Sequence, residues 1–129
     1  MTPILKTIAV VDDDPIYTKA LKNLLVSWKI NNPFIFFSNG KEALDFILLK
    51  EVSELPDILL LDLNMPVING WGFLENFTTA TPQHKKDISI YLVSSSIWDE
   101  DLKRAQKVSL IKEFIIKPIS KKKLFEILG

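Results

Sequence analysis

At 129 residues the chain has the length of one domain, with a core large enough to fold without staples. Its 47% hydrophobic and 25% charged content excludes disordered and collagen-like classes, and the absence of cysteine excludes a disulfide framework and a thiolate metal site. Sixteen Lys plus Arg against 16 Asp plus Glu leave a formal net charge of +0, which argues against direct nucleic-acid binding; no signal peptide or membrane-length apolar run is present, so the expectation is a cytoplasmic protein that does not contact membranes.

The first predicted strand, Thr7 to Val11, ends in three carboxylates, Asp12, Asp13 and Asp14, and then Pro15. Asp14 suits an N-cap and Pro15 the first helical position, where a missing N–H costs nothing. Ile16, Ala20, Leu24 and Trp28, flanked by Tyr17, Leu21 and Leu25, recur at helical spacing and predict a broad buried stripe. Pro33 to Phe37 reads as a second strand, and Ser38, Asn39 and Gly40 open a helix that turns Ala43, Leu44, Ile47 and Leu48 inward.

The third strand is an apolar run, Ile58 to Leu61, that drives into Asp62 and is bounded by Pro56 and a turn from Pro66 to Gly70. Such a run fits a strand buried on both faces of a parallel sheet. A short helix carrying Phe73, Leu74 and Phe77 follows, then a polar linker from Thr78 to Lys86. Ile88 to Val93 is the fourth strand, running into Ser94, Ser95 and Ser96. A helix from about Trp98 to Lys107 is next, with Ser96 and Asp99 resembling a capping box. Phe114 to Ile116 predicts a short fifth strand ending at Lys117 and Pro118; Ser120 caps a last helix with Leu124, Ile127 and Leu128 toward the sheet.

Strand and helix alternate five times without repeats or low-complexity segments, which implies an α/β (βα)5 doubly wound parallel sheet with right-handed crossovers. All strand tips then share one edge, where open parallel sheets place ligands. Asp12, Asp13, Asp62, Ser94 and Lys117 converge there although they are far apart in sequence. Each alone has an ordinary reading as turn, cap or surface residue; four strand tips with complementary chemistry outweigh those readings together. Crowded carboxylates need a cation, and an oxygen-only set selects Mg²⁺ or a similar hard ion. Lys117 and the Ser94 hydroxyl can meet phosphoryl oxygens, and an aspartate such as Asp62 can act as the nucleophile. These are the parts that phosphoryl transfer requires.

The chain resembles a receiver domain of bacterial two-component response regulators, of the stand-alone chemotaxis-regulator type. Asp12 and Asp13, Asp62 with Asn64, Met65, Pro66 and Gly70, Ser94, and Lys117 with Pro118 carry the resemblance. It implies the flavodoxin-like strand order 2-1-3-4-5, for which the chemotaxis regulator is itself a standard example. It implies that Asp62 takes a phosphoryl group from a phosphohistidine on a sensor histidine kinase or histidine phosphotransfer protein. Asp13, Asp62 and the backbone carbonyl of Asn64 would ligate Mg²⁺, with Asp12 acting through a water. Ser94 and Lys117 would hold phosphoryl oxygens; Ser94 would move inward, with Phe114 following at the switch-aromatic position. The Lys117–Pro118 bond is expected to be cis. The protein would thus be no enzyme but a phosphoacceptor that promotes its own phosphoryl transfer and slow autodephosphorylation.

Where relatives often have an Ala-Gly-Ala-like turn, Lys107, Val108, Ser109 and Leu110 stand here, so the loop before the fifth strand is expected to differ. A single receiver domain over 1–129 with no output domain is the expectation; its output would pass to a protein target, with dimerisation on phosphorylation left open. The alternatives are a receiver fragment cut from a DNA-binding regulator, or a phosphohydrolase of the haloacid-dehalogenase type. The latter wants an Asp where Asn64 stands. Lys121, Lys122 and Lys123 form either a solvated face or a dock for an acidic partner. Trp98 is either an interface or a core-edge residue, and His84 reads as a surface residue.

Overall fold

The computed structural model describes residues 5–65, 68–80, 87–95 and 99–129. Its elements run β1 (Ile8–Val11), α1 (Pro15–Ser27), β2 (Phe34–Phe37), α2 (Gly40–Leu49), a 3-10 turn (Val52–Glu54), β3 (Ile58–Asp62), α3 (Gly70–Ala80), β4 (Ser89–Ser94), α4 (Asp99–Lys107), β5 (Ile111–Ile116) and α5 (Lys121–Leu128). The strands form one sheet in the order β2-β1-β3-β4-β5, and every adjacent pair is parallel. This is the doubly wound, flavodoxin-like topology that the alternation and the resemblance imply. Among the described residues no helix is long and apolar enough to cross a membrane.

Successive strand residues serve two cores because side chains alternate across a sheet. Ala9, Val11, Leu59 and Leu61 face α2 and α3, meeting Ala43, Ile47, Phe73 and Phe77. Ile8, Val10, Ile58 and Leu60 face α1 and α5, meeting Leu21, Leu25, Leu124 and Ile127. The central strands β1 and β3 are buried on both sides, which is why their sequences read as unbroken apolar runs.

Helix starts follow their side chains. The Asp14 carboxylate accepts the N–H groups of Ile16 at 2.9 Å and Tyr17 at 3.3 Å, with Pro15 in the first turn. Asn39 accepts from Glu42 N–H at 2.8 Å, and Glu42 reaches back to the Ser38 N–H at 3.1 Å. Ser120 accepts from Lys123 N–H at 3.0 Å.

Three expectations change in detail. In α1 the buried face is Leu21 and Leu25 with the half-buried Tyr17 and Trp28, whereas Ile16 is 80% exposed and Ala20 and Leu24 face solvent. Only one stripe of a helix can meet a flat sheet, so the second apolar row is left exposed. Strand β5 starts three residues early, at Ile111; Lys112 and Glu113 are tolerated because it is an edge strand. Its pairing steps from Ile90↔Ile111 to Tyr91↔Glu113, which leaves Lys112 as the extra residue of a bulge. Helix α3 extends to Ala80 and absorbs the start of the expected linker; within it the Thr78 hydroxyl and Asn76 amide donate to the carbonyls of Leu74 and Gly72, both at 2.8 Å. Helix α4 is described over Asp99–Lys107; the proposed cap Ser96, together with Trp98, His84 and Pro66, lies outside the described residues.

Helix α4 is polar and buries little beyond Ala105. It is tied to α3 through Trp71, whose indole N–H donates to Asp101 at 3.2 Å while the Arg104 guanidinium lies 4.4 Å from the ring centre.

Gly70 opens α3 directly behind the third strand tip. Its N–H donates to the Leu63 carbonyl at 2.8 Å, and an added Cβ would stand 2.9 Å from Leu63 Cα and 3.0 Å from the Asp62 carbonyl oxygen. Gly70→Ala is therefore expected to destabilise the fold by about 1–3 kcal/mol, the usual cost of overpacking against backbone. Urea unfolding measures it, and an unchanged midpoint would contradict the close approach.

Candidate functional site

The carboxyl edge of the sheet holds the site because the backbone ladders continue past the strand ends. Asp12 N–H donates to the Phe37 carbonyl at 3.0 Å, Leu63 N–H to Val93 at 3.1 Å and Lys117 N–H to Ser94 at 2.8 Å. Each residue that follows or ends a strand is thus fixed by its neighbour. Asp12, Asp62 and Ser94 are buried, at 4%, 5% and 0% exposure, while Asp13 is exposed at the rim.

One carboxylate oxygen each from Asp12, Asp13 and Asp62 lies within 4.8 Å of the others. Lys117 Nζ sits 2.6 Å from Asp12 Oδ2 and 3.6 Å from Asp62 Oδ1. Asp12 Oδ1 also accepts the Asp14 N–H at 2.9 Å, so both oxygens of this aspartate have partners. Asp62 Oδ1 accepts from the Asn64 N–H at 3.4 Å, and the Asn64 side-chain amide reaches the Ser94 hydroxyl at 3.4 Å. The Lys117–Pro118 peptide is cis, as expected.

Three carboxylates face one ammonium, and Asp62 is the most perturbed of them. Burial first, and then the charge of Asp12, push its carboxyl up to about 6, against the pull of Lys117 and the Asn64 N–H. An all-oxygen set with surplus negative charge fits a hard divalent cation such as Mg²⁺.

The structure brings Asp12, Asp13, Asp62, Asn64, Ser94 and Lys117 together. Phe114 stands apart: it pairs across the sheet with Leu92, packs half-buried against the core under α2 to α4, and lines a cavity of about 390 Å³ with Leu102, Ala105, Gln106 and Ile111. Sequence reasoning missed Tyr17 as a site residue. Its ring centre lies 4.3 Å from Lys117 Nζ, and burial, with the charges of Asp12 and Asp62 nearby, pushes its phenol up to about 12. Helical periodicity identified Tyr17 only as a core residue, and no local signal links it to Lys117. The lysine row on α5 is not uniform: Lys123 pairs with Glu113 at 2.7 Å and Glu126 at 3.4 Å, and Lys121 lies 5.9 Å from the Phe125 ring centre.

Topology and acidic edge together define a flavodoxin-like α/β domain whose reactive groups sit at the carboxyl ends of its strands. The chain belongs to the response regulator receiver domain family, which matches residues 8–129. A receiver protein from Dyadobacter fermentans superposes with a TM-score of 0.82 at 26% identity, over 95% of this chain and 94% of that one. A two-component response regulator from Cytophaga hutchinsonii gives 0.83 at 22% identity, over 97% and 95%, which shows the shared fold. In sequence, the protein-glutamate methylesterase/protein-glutamine glutaminase of Mesorhizobium japonicum is 33% identical over 90 residues, which are 70% of this chain. The chain spans only 24% of that relative's length.

Because the folded-state value for Asp62 lies above its ordinary 3.8, the folded protein holds a proton that the unfolded chain has released between those values. The Asp62 contribution to stability therefore falls as pH rises from about 4 to about 6 and is level above that. In metal-free buffer, Asp62→Asn is expected to be more stable than wild type at neutral pH, with the difference growing across that window. A pH-independent difference in urea midpoints would contradict the upward shift that burial and the charge of Asp12 give Asp62.

Proposed function

We propose that the protein is a phosphoacceptor in two-component or phosphorelay signalling, taking a phosphoryl group on Asp62 from a phosphohistidine of a sensor histidine kinase or histidine phosphotransfer protein. The observation that carries this reading is the Asp62 carboxylate, held among two further carboxylates with Lys117 Nζ 3.6 Å away. An Asp62 oxygen attacks phosphorus as the P–N bond to the donor imidazole breaks. The imidazole leaves with the bonding pair and takes up a proton, and an acyl phosphate remains.

Asp13, Asp62 and the Asn64 carbonyl would hold Mg²⁺, with Asp12 acting through a water; when bound, the ion neutralises charge on the phosphoryl oxygens. Lys117 already stands between Asp12 and Asp62, and from there its ammonium would turn from Asp12 toward a phosphoryl oxygen. Ser94 offers its hydroxyl to another. Phosphoryl transfer asks little else of a protein than such placement and charge compensation.

Signal output follows from Ser94 moving toward the phosphoryl group, with Phe114 shifting in the cavity beside α4. The mostly exposed, polar surface of α4, which shares a cavity with Phe114, supports this switch. Amide hydrogen exchange over residues 99–116 is expected to change on phosphorylation, and an unaltered pattern there would contradict the switching part.

Turnover as a hydrolase is disfavoured by Asn64, whose amide cannot serve as acid or base and is directed at Ser94. Acetyl phosphate with Mg²⁺ is expected to add one phosphoryl group, mapped by mass spectrometry to Asp62, and Asp62→Asn to take none. Labelling that survives this substitution, or sustained hydrolysis of phosphomonoesters, would overturn the reading.

A further inference from the structure

We propose that Tyr17 is a positioning residue for Lys117: its ring face holds the lysine ammonium within reach of Asp62 and so sets the rate at which Asp62 accepts a phosphoryl group. This inference rests on the function proposed above and assigns a new participant to the same site.

The geometry is specific. Lys117 Nζ lies 4.3 Å from the Tyr17 ring centre, inside the ~6 Å range in which a ring quadrupole attracts a cation. The same nitrogen is 2.6 Å from Asp12 and 3.6 Å from Asp62, so a ring face and two carboxylates bound it. A lysine needs such a boundary because its charge rides on four flexible carbons. Here the side chain is only 14% exposed.

Tyr17 is itself fixed. Its N–H is bound by the Asp14 cap at 3.3 Å, and its ring packs against the core between the sheet, α1 and α5. The loop that supplies Asp12 and Asp13 thus also sets the tyrosine, one turn into the helix it starts. A ring face also differs from a third carboxylate in what it permits. It attracts the ammonium over an area, so Lys117 can leave Asp12 for a phosphoryl oxygen without losing the contact. An aliphatic side chain would fill the space and exert no such pull.

The test uses the full chain, with acetyl phosphate as donor and Mg²⁺ present. Phosphorylation joins Asp62 to phosphorus as acetate leaves. Tyr17→Leu is expected to slow labelling by about three- to tenfold, the range a half-buried cation–π contact supports. Tyr17→Phe, which keeps the ring, restores the rate. In a Lys117→Gln background, Tyr17→Leu makes no further difference, because the tyrosine acts through the lysine. Independently of phosphorylation, the Lys117 ε-methylene NMR resonance of the metal-free protein is displaced by the ring current in wild type and Tyr17→Phe and returns to an ordinary position in Tyr17→Leu. Tyr17→Met provides a second apolar replacement should the leucine variant misfold. A slowing that multiplies in the Lys117→Gln background, or an ordinary Lys117 resonance in wild type, overturns the inference. Wild type that labels no faster than Tyr17→Leu also overturns it alone, whereas wild type that takes no label overturns the proposed function and this inference with it.

Discussion

The structure depends on a repulsion. Asp12, Asp13 and Asp62 bring carboxylate oxygens within 4.8 Å of one another, and two of the three side chains are buried. At such separations each like-charge pair costs about 1–3 kcal/mol for an effective dielectric between bulk water and protein surface. Lys117 offsets part of this, and burial together with the charge of Asp12 still pushes the Asp62 carboxyl upward. On the function proposed above, a site short of positive charge would take up a cation and then a phosphoryl group, and the destabilising feature of the fold would be the one that makes it responsive.

Holding such a cluster together requires a scaffold stable enough to absorb the strain of charge, and the parallel sheet supplies it from both sides. The central strands β1 and β3 face two separate apolar cores, and their tips deliver Asp12 and Asp62 side by side. The backbone hydrogen bonds of Asp12 and Lys117 to adjoining strands leave these residues little freedom. Gly70 lets α3 close against the Asp62 loop from behind. Burial is most complete at β1 and β3, while the described residues of α4 are polar and mostly exposed.

Much of this was legible in the sequence for a physical reason: strands buried on both faces must be apolar throughout, so Ile58 to Leu61 declares both its place in the sheet and the tip at Asp62. Alternation with helices then places the other tips, and Ser94 and Lys117 follow. Less legible were features set by tertiary contact. The face of α1 could not be chosen from a helix apolar on two sides, and the start of β5 was hidden because an edge strand accepts Lys112 and Glu113. Tyr17 carries no local mark of its contact with Lys117. Asn64 was read for its backbone carbonyl and as the missing acid of a hydrolase, yet its side chain is the group that reaches Ser94.

The central claim is that the acidic cluster and Lys117 form one charge-compensated acceptor centred on Asp62. It is tested most directly by a crystal structure of the protein with Mg²⁺ and beryllofluoride, which mimics an acyl phosphate on a carboxylate. The account predicts beryllium bonded to an Asp62 oxygen, the ion on Asp13, Asp62 and the Asn64 carbonyl, and Lys117 Nζ turned from Asp12 to a fluorine. An adduct on a different carboxylate, or a Lys117 still paired only with Asp12 beside a bound adduct, would contradict it.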